Sequence, residues 1–247
     1  MKPLRHFPTG MVAAEGLPEA KSATYVVSEV FGPTVQGEGP SLGRRCGFVR
    51  LGACNLHCTW CDTPYTWDWQ RYNPRQELRQ LPLEALVEHL KSMGVNMVVV
   101  SGGEPLLQDL GPLIVACRRH GWRVEVETNG TLIPQDKDNL PDQFNVSPKL
   151  SHAGDLAHRR IVPEALQWLN ASQRAIFKFV VQEVSHLEEV QALVAAHGLA
   201  PVYIMPEGIT AEAVCRISTM LAEEVIRRGW NLTTRLHVLL WGAERGK

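Results

Sequence analysis

Short runs rich in valine, isoleucine and phenylalanine alternate along this chain with longer segments whose apolar residues recur at helical spacing. Such runs are typical of buried parallel strands. We predict strands over residues 24–31, 47–51, 97–100, 123–126, 144–146, 176–181, 201–204 and 235–240, and helices over residues 83–93, 106–120, 162–172, 185–197 and 211–228. This alternation favours an α/β fold with a parallel sheet or a partial barrel.

Length and charge limit what the chain can be. It has 247 residues, enough for one α/β domain of barrel size, and its hydrophobic content of 45% suffices for a full core. Residues 1–22 mix charged residues with proline and glycine, so they contain no apolar run for a signal peptide or membrane span. We expect an N-terminal extension over residues 1–22 and one catalytic domain over residues 23–247, in the cytoplasm and without a membrane partner.

The balance of charge points to a small-molecule pocket. With 25 basic and 26 acidic residues, the formal net charge is -1, which gives no reason to expect nucleic-acid binding. Cys46, Cys117 and Cys215 are scattered, so they indicate no disulfide framework. We expect each of these three to be a small buried apolar residue.

Three further cysteines lie together after the second predicted strand. Cys54, Cys58 and Cys61 have the spacing Cys-x3-Cys-x2-Cys, which can hold three irons of a 4Fe-4S cluster and leave the fourth iron open to a small molecule. A structural zinc site would need a fourth ligand, which would have to be His57, Asp62, Cys46 or a distant residue. His57, between two of the cysteines, would strain a small tetrahedral site. An open-site iron-sulfur cluster is therefore favoured, with zinc as the alternative.

Unusual residues follow four of the predicted strands. They are Ser-Gly-Gly-Glu-Pro at 101–105, Glu-Thr-Asn-Gly at 127–130, Ser-Pro-Lys at 147–149 and Met-Pro-Glu-Gly at 205–208. Each alone is an ordinary turn signal. Because the carboxyl ends of parallel strands converge on one crevice, we expect all four to share one face with the cysteine loop.

These motifs carry a family resemblance. The cysteine triad with Trp60 before its last member, followed by the Gly-Gly-Glu-Pro of 102–105, resembles the radical S-adenosylmethionine superfamily. More narrowly, the Gln-Gly-Glu-Gly of 36–39, Arg50 ahead of the triad, the Cys-Asp-Thr of 61–63, the motifs at 127–131 and 147–149, and the Leu-His of 236–237 resemble the 7-carboxy-7-deazaguanine synthase family. The match runs in order over nearly the whole chain.

The resemblance implies a fold, a reaction and cofactors. The implied fold is a partial, incomplete TIM-like barrel of mostly parallel strands. The implied reaction is the ring contraction of 6-carboxy-5,6,7,8-tetrahydropterin to 7-carboxy-7-deazaguanine with loss of ammonia, a step towards queuosine and other 7-deazapurines. It starts with hydrogen abstraction at the carbon that bears the carboxylate. The implied cofactors are a 4Fe-4S cluster, S-adenosylmethionine and Mg2+.

Site residues are carried over by the same resemblance. Cys54, Cys58 and Cys61 would hold the cluster that generates the radical, and Thr63 would bind Mg2+. The residues implied for S-adenosylmethionine are Trp60, Cys61, Asp62, Gly103, Glu104, Asn129, Ser147, Pro148, Lys149, Met205, Pro206 and Glu207. Those implied for the pterin are Val35, Gln36, Gly37, Glu38, Arg50, Ser101 and His237. The planar fork of Arg50 also suits a carboxylate on chemical grounds.

Partners and alternatives complete the expectations. The resemblance implies a homodimer and an electron donor such as flavodoxin or ferredoxin. A glycyl-radical activase, which acts on a protein, would share the triad and the Gly-Gly-Glu-Pro loop but has no need for Arg50 with the Gln-Gly-Glu-Gly of 36–39. A zinc-binding interaction module is the alternative that is not an enzyme.

Overall fold

The computed structural model describes residues 23–247, so the predicted extension over residues 1–22 lies outside the described residues. Within residues 23–247, nine strands form one sheet. They are β1 (Thr24–Val35), β2 (Arg45–Leu51), β3 (Arg79–Pro82), β4 (Met97–Gly102), β5 (Arg123–Thr128), β6 (Gln143–Val146), β7 (Ala175–Val181), β8 (Val202–Pro206) and β9 (Asn231–Leu232).

The sheet is mostly parallel and unclosed. Its strand order is β3-β1-β2-β4-β5-β6-β7-β8-β9. β1 pairs antiparallel with β2 and β3, and every pairing from β2 through β9 is parallel. β3 and β9 form the two edges and do not pair with each other, which confirms the prediction of a partial barrel.

Helices connect the parallel strands. They are α1 (Pro74–Glu77), α2 (Leu83–Ser92), α3 (Gly111–Arg119), α4 (Ala157–Arg160), α5 (Pro163–Ala171), α6 (His186–His197), α7 (Ala211–Arg227) and α8 (Leu236–Trp241). The longer ones pack on the strands, α2 on β1, α3 on β5, α5 and α6 on β7, and α7 on β8.

Alternation along the strands divides the buried side chains between two faces. Val98 and Val100 of β4 belong to the main core with the helices, whereas Met97 and Val99 join a small second cluster on the other face. All residues of β7 are buried, and among them Lys178 is only 2% exposed. The face away from the main core is therefore free to carry polar side chains.

The prediction of a strand over residues 235–240 is wrong, because α8 occupies Leu236–Trp241. A short apolar run does not distinguish a strand from a buried helical turn by periodicity. In the structure Val238 is buried while Leu240 is 55% exposed. The amide of Leu236 donates to the carbonyl of Gly37 at 2.8 Å, so this segment pairs with the loop after β1 and not with the sheet edge.

The predicted helix over residues 106–120 begins late. A 3-10 turn covers Pro105–Leu107, and α3 starts at Gly111. Pro112 fits the first turn of a helix because the amide that it lacks would have no partner there. The carboxylate of Asp109 accepts from the amide of Gly111 at 3.0 Å, which satisfies another free donor at this end.

Two short edge strands, β3 and β9, are absent from the prediction, since two to four residues carry little periodic signal.

Cys46 and Cys117 are buried as expected, but Cys215 lies exposed on α7, so the expectation for it is wrong. None of the helices in the described residues has the length and apolar character that a membrane crossing requires.

Truncation in the main core tests the packing described here. Phe177 on β7 is 0% exposed, and Phe177→Ala should lower the free energy of unfolding by about 3–5 kcal/mol through lost burial and the cavity left behind. Denaturant unfolding measures the change. Leu240→Ala, at an exposed position, is the control and should change stability little. Equal losses in the two variants would contradict this assignment of the core.

Candidate active site

A cavity of about 320 Å³ opens where the parallel strands end. Its lining includes the cysteine loop after β2 and residues from the motifs that follow β4, β5, β6 and β8. This arrangement confirms the expectation that the four motifs and the cysteine loop share one face, as the carboxyl ends of parallel strands do in α/β folds.

The cysteine loop is held at its start and in its middle. The amide of Ala53 donates to the carbonyl of Thr66 at 2.8 Å, which folds the loop back on itself. The amide of His57 donates to the carboxylate of Asp155 at 2.7 Å, which ties the loop to the segment after β6. The loop that carries the three thiols is therefore fixed from both sides.

Two glycines allow the loop after β4 to reach the cysteine loop. The amide of Gly103 donates to the carbonyl of Leu51 at 3.1 Å, and a Cβ on Gly103 would lie 2.0 Å from the carbonyl oxygen of Ala53. Gly102 has φ +140°, and its Cβ would lie 2.1 Å from the carbonyl oxygen of Leu51. No side chain fits at either position, so the glycines are a structural requirement of this contact.

Glu104 connects the same loop to the loop after β5. Its carboxylate is fully buried and accepts from the amide of Leu106 at 2.9 Å, the hydroxyl of Thr128 at 2.8 Å and the amide of Asn129 at 2.7 Å. Burial raises the pKa of Glu104, and the three hydrogen bonds partly offset this rise. Glu104 does not line the cavity itself, but its hydrogen bonds fix the two loops that do.

The three thiols of the cysteine loop are available as ligands. Cys54, Cys58 and Cys61 are unbridged and all line the cavity. Within residues 23–247, no group of three or more His, Cys, Asp or Glu side chains is already placed around one point as metal ligands. A cluster distributes its thiolates over several irons. Burial raises the pKa of Cys54 to about 12, so metal binding must displace its proton.

Aromatic and basic side chains form the wall beside the last two cysteines. The ring of Trp60 stacks on His152 at 5.7 Å between centroids, and His152 stacks on His186 at 4.1 Å. Lys149 Nζ lies 5.3 Å from the centroid of the Trp60 ring and 2.9 Å from the hydroxyl of Ser147. This wall offers a flat apolar surface beside a hydroxyl and a cation.

Buried charge lines another part of the cavity. Lys178 Nζ binds the carboxylates of Glu38 and Glu127, the latter at 2.8 Å. Burial alone would lower the pKa of Lys178, but the two carboxylates raise it above its ordinary value. Burial raises the pKa of Glu127, whereas the positive charges near Glu38 outweigh its burial and lower its pKa. Gln36 Nε2 also donates to Glu127 at 3.1 Å. This part of the cavity wall therefore presents both hydrogen-bond donors and acceptors to a ligand.

The segment before α8 closes the same side. Arg235 binds the carboxylate of Asp62 and, at 3.4 Å, that of Glu38. His237 packs against the backbone of Gly37, where a Cβ would lie 2.1 Å from His237 Nδ1. Burial, the largest influence, lowers the pKa of His237. A neutral imidazole can both donate and accept a hydrogen bond in the cavity.

Arg50 lies at the end of the cavity nearest β1. Its side chain is opposite the buried Val49 and Leu51, as strand alternation predicts. Arg50 Nε donates to Glu29 Oε2 at 2.6 Å, and the guanidinium lies 5.4 Å from the ring centroid of Phe31. With Nε engaged, its two terminal nitrogens remain to present a planar fork to a ligand.

A C-terminal strap, defined as residues 242–247, covers this end of the cavity. Arg245 binds the free oxygen of Glu29 at 2.6 Å and Glu77 at 2.9 Å. Its guanidinium lies 3.8 Å from the ring centroid of Tyr65, whose hydroxyl donates to Glu29 at 3.0 Å. Glu29 therefore joins the strap to the arginine of the cavity.

Most candidate residues from the sequence line this cavity. They are Val35, Gln36, Gly37, Glu38, Arg50, Cys54, Cys58, Trp60, Cys61, Asp62, Thr63, Ser101, Gly103, Asn129, Ser147, Lys149, Met205, Glu207 and His237. Glu104, Pro148 and Pro206 lie outside the lining. Contact of these three residues with a cofactor stays a prediction.

Several residues in or beside the cavity were missed by the sequence reasoning. Lys178 is the single charged residue of an apolar strand, a signal that could have revealed it. Glu127 opens the Glu-Thr-Asn-Gly motif at the end of β5 but was not assigned a role. Glu29, Arg235 and Arg245 carry no local signal, because their partners are far apart in the sequence.

Comparisons with known proteins agree with this geometry. Residues 49–167 match the model of the radical SAM superfamily. A 7-carboxy-7-deazaguanine synthase of Pyrobaculum aerophilum is 37% identical over 228 residues, which cover 90% of this chain and 96% of the relative. A 7-carboxy-7-deazaguanine synthase of Rhodopirellula baltica is 33% identical, with all of both chains covered.

Solved structures show the same architecture. The crystal structure of QueE from Escherichia coli matches with a TM-score of 0.67 at 27% identity, over 87% of this chain and 95% of that one. Streptococcus suis SuiB bound to S-adenosylmethionine matches with a TM-score of 0.53 at 15% identity, over 75% of this chain and 49% of that one, a likeness of fold alone.

The contact between the two loops can be tested at Gly103. In Gly103→Ala the new Cβ would collide with the carbonyl of Ala53, so the cysteine loop should move and iron and sulfide per chain should fall several-fold after anaerobic reconstitution. Gly121→Ala is the control for backbone strain alone: with φ +70° alanine is strained there too, but its Cβ meets nothing within 4 Å, and the residue lies in the turn between α3 and β5. Full iron loading of the Gly103 variant would contradict the structural requirement for glycine.

The stacked histidine gives a pH prediction. Burial, followed by His186, lowers the pKa of His152 from 6.5 to about 4, while Glu189, Arg160 and Glu183 also face it. The stability contributed by this group is complete above pH 6.5 and is lost as the pH falls towards 4. His152→Phe keeps the stacking, so its free energy of unfolding should fall less over this window in urea titrations. Identical slopes for the two proteins would refute the assignment.

Proposed function

Because the chain belongs to the 7-carboxy-7-deazaguanine synthase family within the radical S-adenosylmethionine superfamily, we propose that it converts 6-carboxy-5,6,7,8-tetrahydropterin to 7-carboxy-7-deazaguanine with loss of ammonia. The observation that carries this proposal is one cavity lined by three free thiols at one side and by Arg50 at another. Radical chemistry on a small carboxylic acid needs both in one enclosed space.

The cysteine side serves the cofactors. Cys54, Cys58 and Cys61 would hold a 4Fe-4S cluster. When bound and reduced, the cluster would supply the electron that cleaves S-adenosylmethionine to methionine and a 5'-deoxyadenosyl radical. The aromatic face of Trp60 suits the adenine, and the hydroxyl of Ser147 with the ammonium of Lys149 suits the ribose and the carboxylate. Gly103, Asn129, Asp62, Met205 and Glu207 complete this side of the cavity in the proposal.

The opposite side serves the pterin. The free fork of Arg50 would bind the substrate carboxylate in two parallel hydrogen bonds. The polar edge of the pterin would meet Gln36, Gly37 and Glu38 with the neutral His237, while Val35 and Ser101 would contact its body. In this proposal the buried ion pairs of Lys178 hold Glu38 and Glu127 in place, so the polar edge finds its partners already oriented.

Thr63 is the proposed Mg2+ ligand. It is buried at the cavity wall, and its hydroxyl has only long contacts, 3.5 Å to the carbonyl of Gly102 and 3.7 Å to the sulfur of Cys61. Its lone pairs therefore remain available to a cation. Mg2+ takes few protein ligands and keeps waters or substrate oxygens, so one hydroxyl together with the substrate carboxylate is a chemically sufficient site.

The proposal extends to the assembly and its supply of electrons. The family resemblance supports a catalytic unit over residues 23–247, a homodimer, and reduction by a donor such as flavodoxin or ferredoxin. The product would enter the biosynthesis of queuosine and other 7-deazapurines.

Anaerobic turnover tests the function. Reconstituted protein is supplied with dithionite, S-adenosylmethionine, Mg2+ and the carboxylated tetrahydropterin, and the deazaguanine acid is followed by mass spectrometry. Product formation is the expected result. Release of 5'-deoxyadenosine without product would reject the pterin and favour a protein substrate, whereas colourless protein with zinc and no iron would reject radical chemistry.

Arg50 can be tested separately from the cluster. Arg50→Ala should raise the KM for the pterin about ten- to a hundredfold, because a hydrogen bond between charged groups contributes about 1.5–3 kcal/mol. Uncoupled cleavage of S-adenosylmethionine should persist. Arg45→Ala, on the same strand but exposed and bound to backbone carbonyls, is the control. Lost cleavage with unchanged pterin affinity would show that Arg50 has been misplaced.

A further inference from the structure

The indole of Trp67 donates a hydrogen bond to one cysteine of the triad. Trp67 Nε1 lies 3.3 Å from the sulfur of Cys61, and both residues line the cavity. An indole has one donor and no acceptor, so in this contact the sulfur is the acceptor. The sequence motifs assigned no role to Trp67.

Local structure holds this indole in place. A 3-10 turn covers Pro64–Thr66, and the amide of Trp67 donates to the carbonyl of Pro64 at 3.1 Å. The carbonyl of Thr66 accepts from the amide of Ala53, which ties the turn to the start of the cysteine loop. His57 packs on the Trp67 ring at 5.0 Å between centroids with an interplanar angle of 74°. The donor is therefore oriented before any cluster is bound.

The three sulfurs of the triad do not have the same surroundings. Cys54 accepts a backbone amide from Leu56 at 3.5 Å, a longer contact than the one from Trp67 to Cys61. Cys61 also has the hydroxyl of Thr63 at 3.7 Å. Of these three contacts, the shortest is the hydrogen bond that the Trp67 side chain donates to Cys61.

A donor at a ligating sulfur acts on the redox equilibrium of a cluster. Reduction adds an electron, and the added negative charge is shared with the sulfurs. A hydrogen bond to a ligating thiolate strengthens as that charge grows, so it stabilises the reduced state more than the oxidised state. Hydrogen bonds to sulfur are accordingly one of the determinants of cluster potential.

We propose that Trp67 is a positioning residue that raises the reduction potential of the cluster by donating its indole N–H to the thiolate of Cys61. The inference rests on the cluster assigned to the three cysteines under the proposed function, but it does not depend on which substrate the protein uses. Its consequence is that a mild electron donor reduces a larger fraction of the enzyme.

Potentiometric titration of the reconstituted protein, followed by electron paramagnetic resonance of the reduced cluster, tests this role. Trp67→Phe keeps an aromatic ring and removes the donor, so its midpoint potential should become more negative. Trp69→Phe is the matched control, because Trp69 is 41% exposed and lies outside the cavity lining. Its midpoint should equal that of the parent protein.

A purely structural role would give a different result. In that case Trp67→Phe would lose iron, but the clusters that remain would titrate at the parent potential, and this outcome would overturn the inference. If Trp67→Phe assembles no cluster, benzothienylalanine at position 67 replaces the N–H by sulfur with nearly the same ring shape. A loaded benzothienylalanine protein with the parent potential would overturn the inference, and a more negative one would support it.

The outcomes also separate this inference from the proposed function. Parent protein that assembles no iron-sulfur cluster would remove the cluster assignment itself. If the parent protein carries a cluster and neither replacement at position 67 changes the cluster's midpoint potential, only the role of Trp67 is rejected.

Discussion

The site depends on the close approach of two backbones. The chain at the end of β4 reaches the cysteine loop only because Gly102 and Gly103 have no side chains. A Cβ at Gly103 would lie 2.0 Å from the carbonyl oxygen of Ala53 in that loop, and a Cβ at Gly102 would lie 2.1 Å from that of Leu51 at the end of β2. The amide of Glu104 continues the contact by donating to Ala53 at 2.8 Å. The position of the cysteine loop is thus set by the carboxyl ends of β2 and β4.

Buried charge organises the opposite side of the cavity. A lysine that is 2% exposed is costly to bury unless carboxylates compensate its charge. Glu38 after β1 and Glu127 on β5 provide that compensation for Lys178 on β7, and Arg235 extends the network to Asp62 in the cysteine loop. Since these residues come from distant parts of the chain, the network connects the two sides of the cavity.

The sequence revealed the parts of the fold and site that have local signatures. Cys54, Cys58 and Cys61 are recognisable from spacing, and the motifs after four strands could be placed together because parallel strands share a direction. The segment before Trp241 was misread as a strand, since its helical form follows from pairing with Gly37 and not from its own periodicity. The hydrogen bond of Trp67 and the bridge from Arg245 to Glu29 depend on three-dimensional contacts that no local pattern indicates.

In the proposed reaction, a radical formed beside the cysteine loop would take a hydrogen atom from the substrate carbon whose carboxylate Arg50 would bind. Deuterium transfer measures this directly. Pterin deuterated at that carbon is turned over anaerobically, and both the 5'-deoxyadenosine and the recovered S-adenosylmethionine are analysed by mass spectrometry. Loss of ammonia alone leaves the reaction redox-neutral, so the abstracted hydrogen must be returned, and we expect deuterium in the recovered S-adenosylmethionine as well as in the 5'-deoxyadenosine. Product formation with no deuterium in either molecule would contradict this role of the radical.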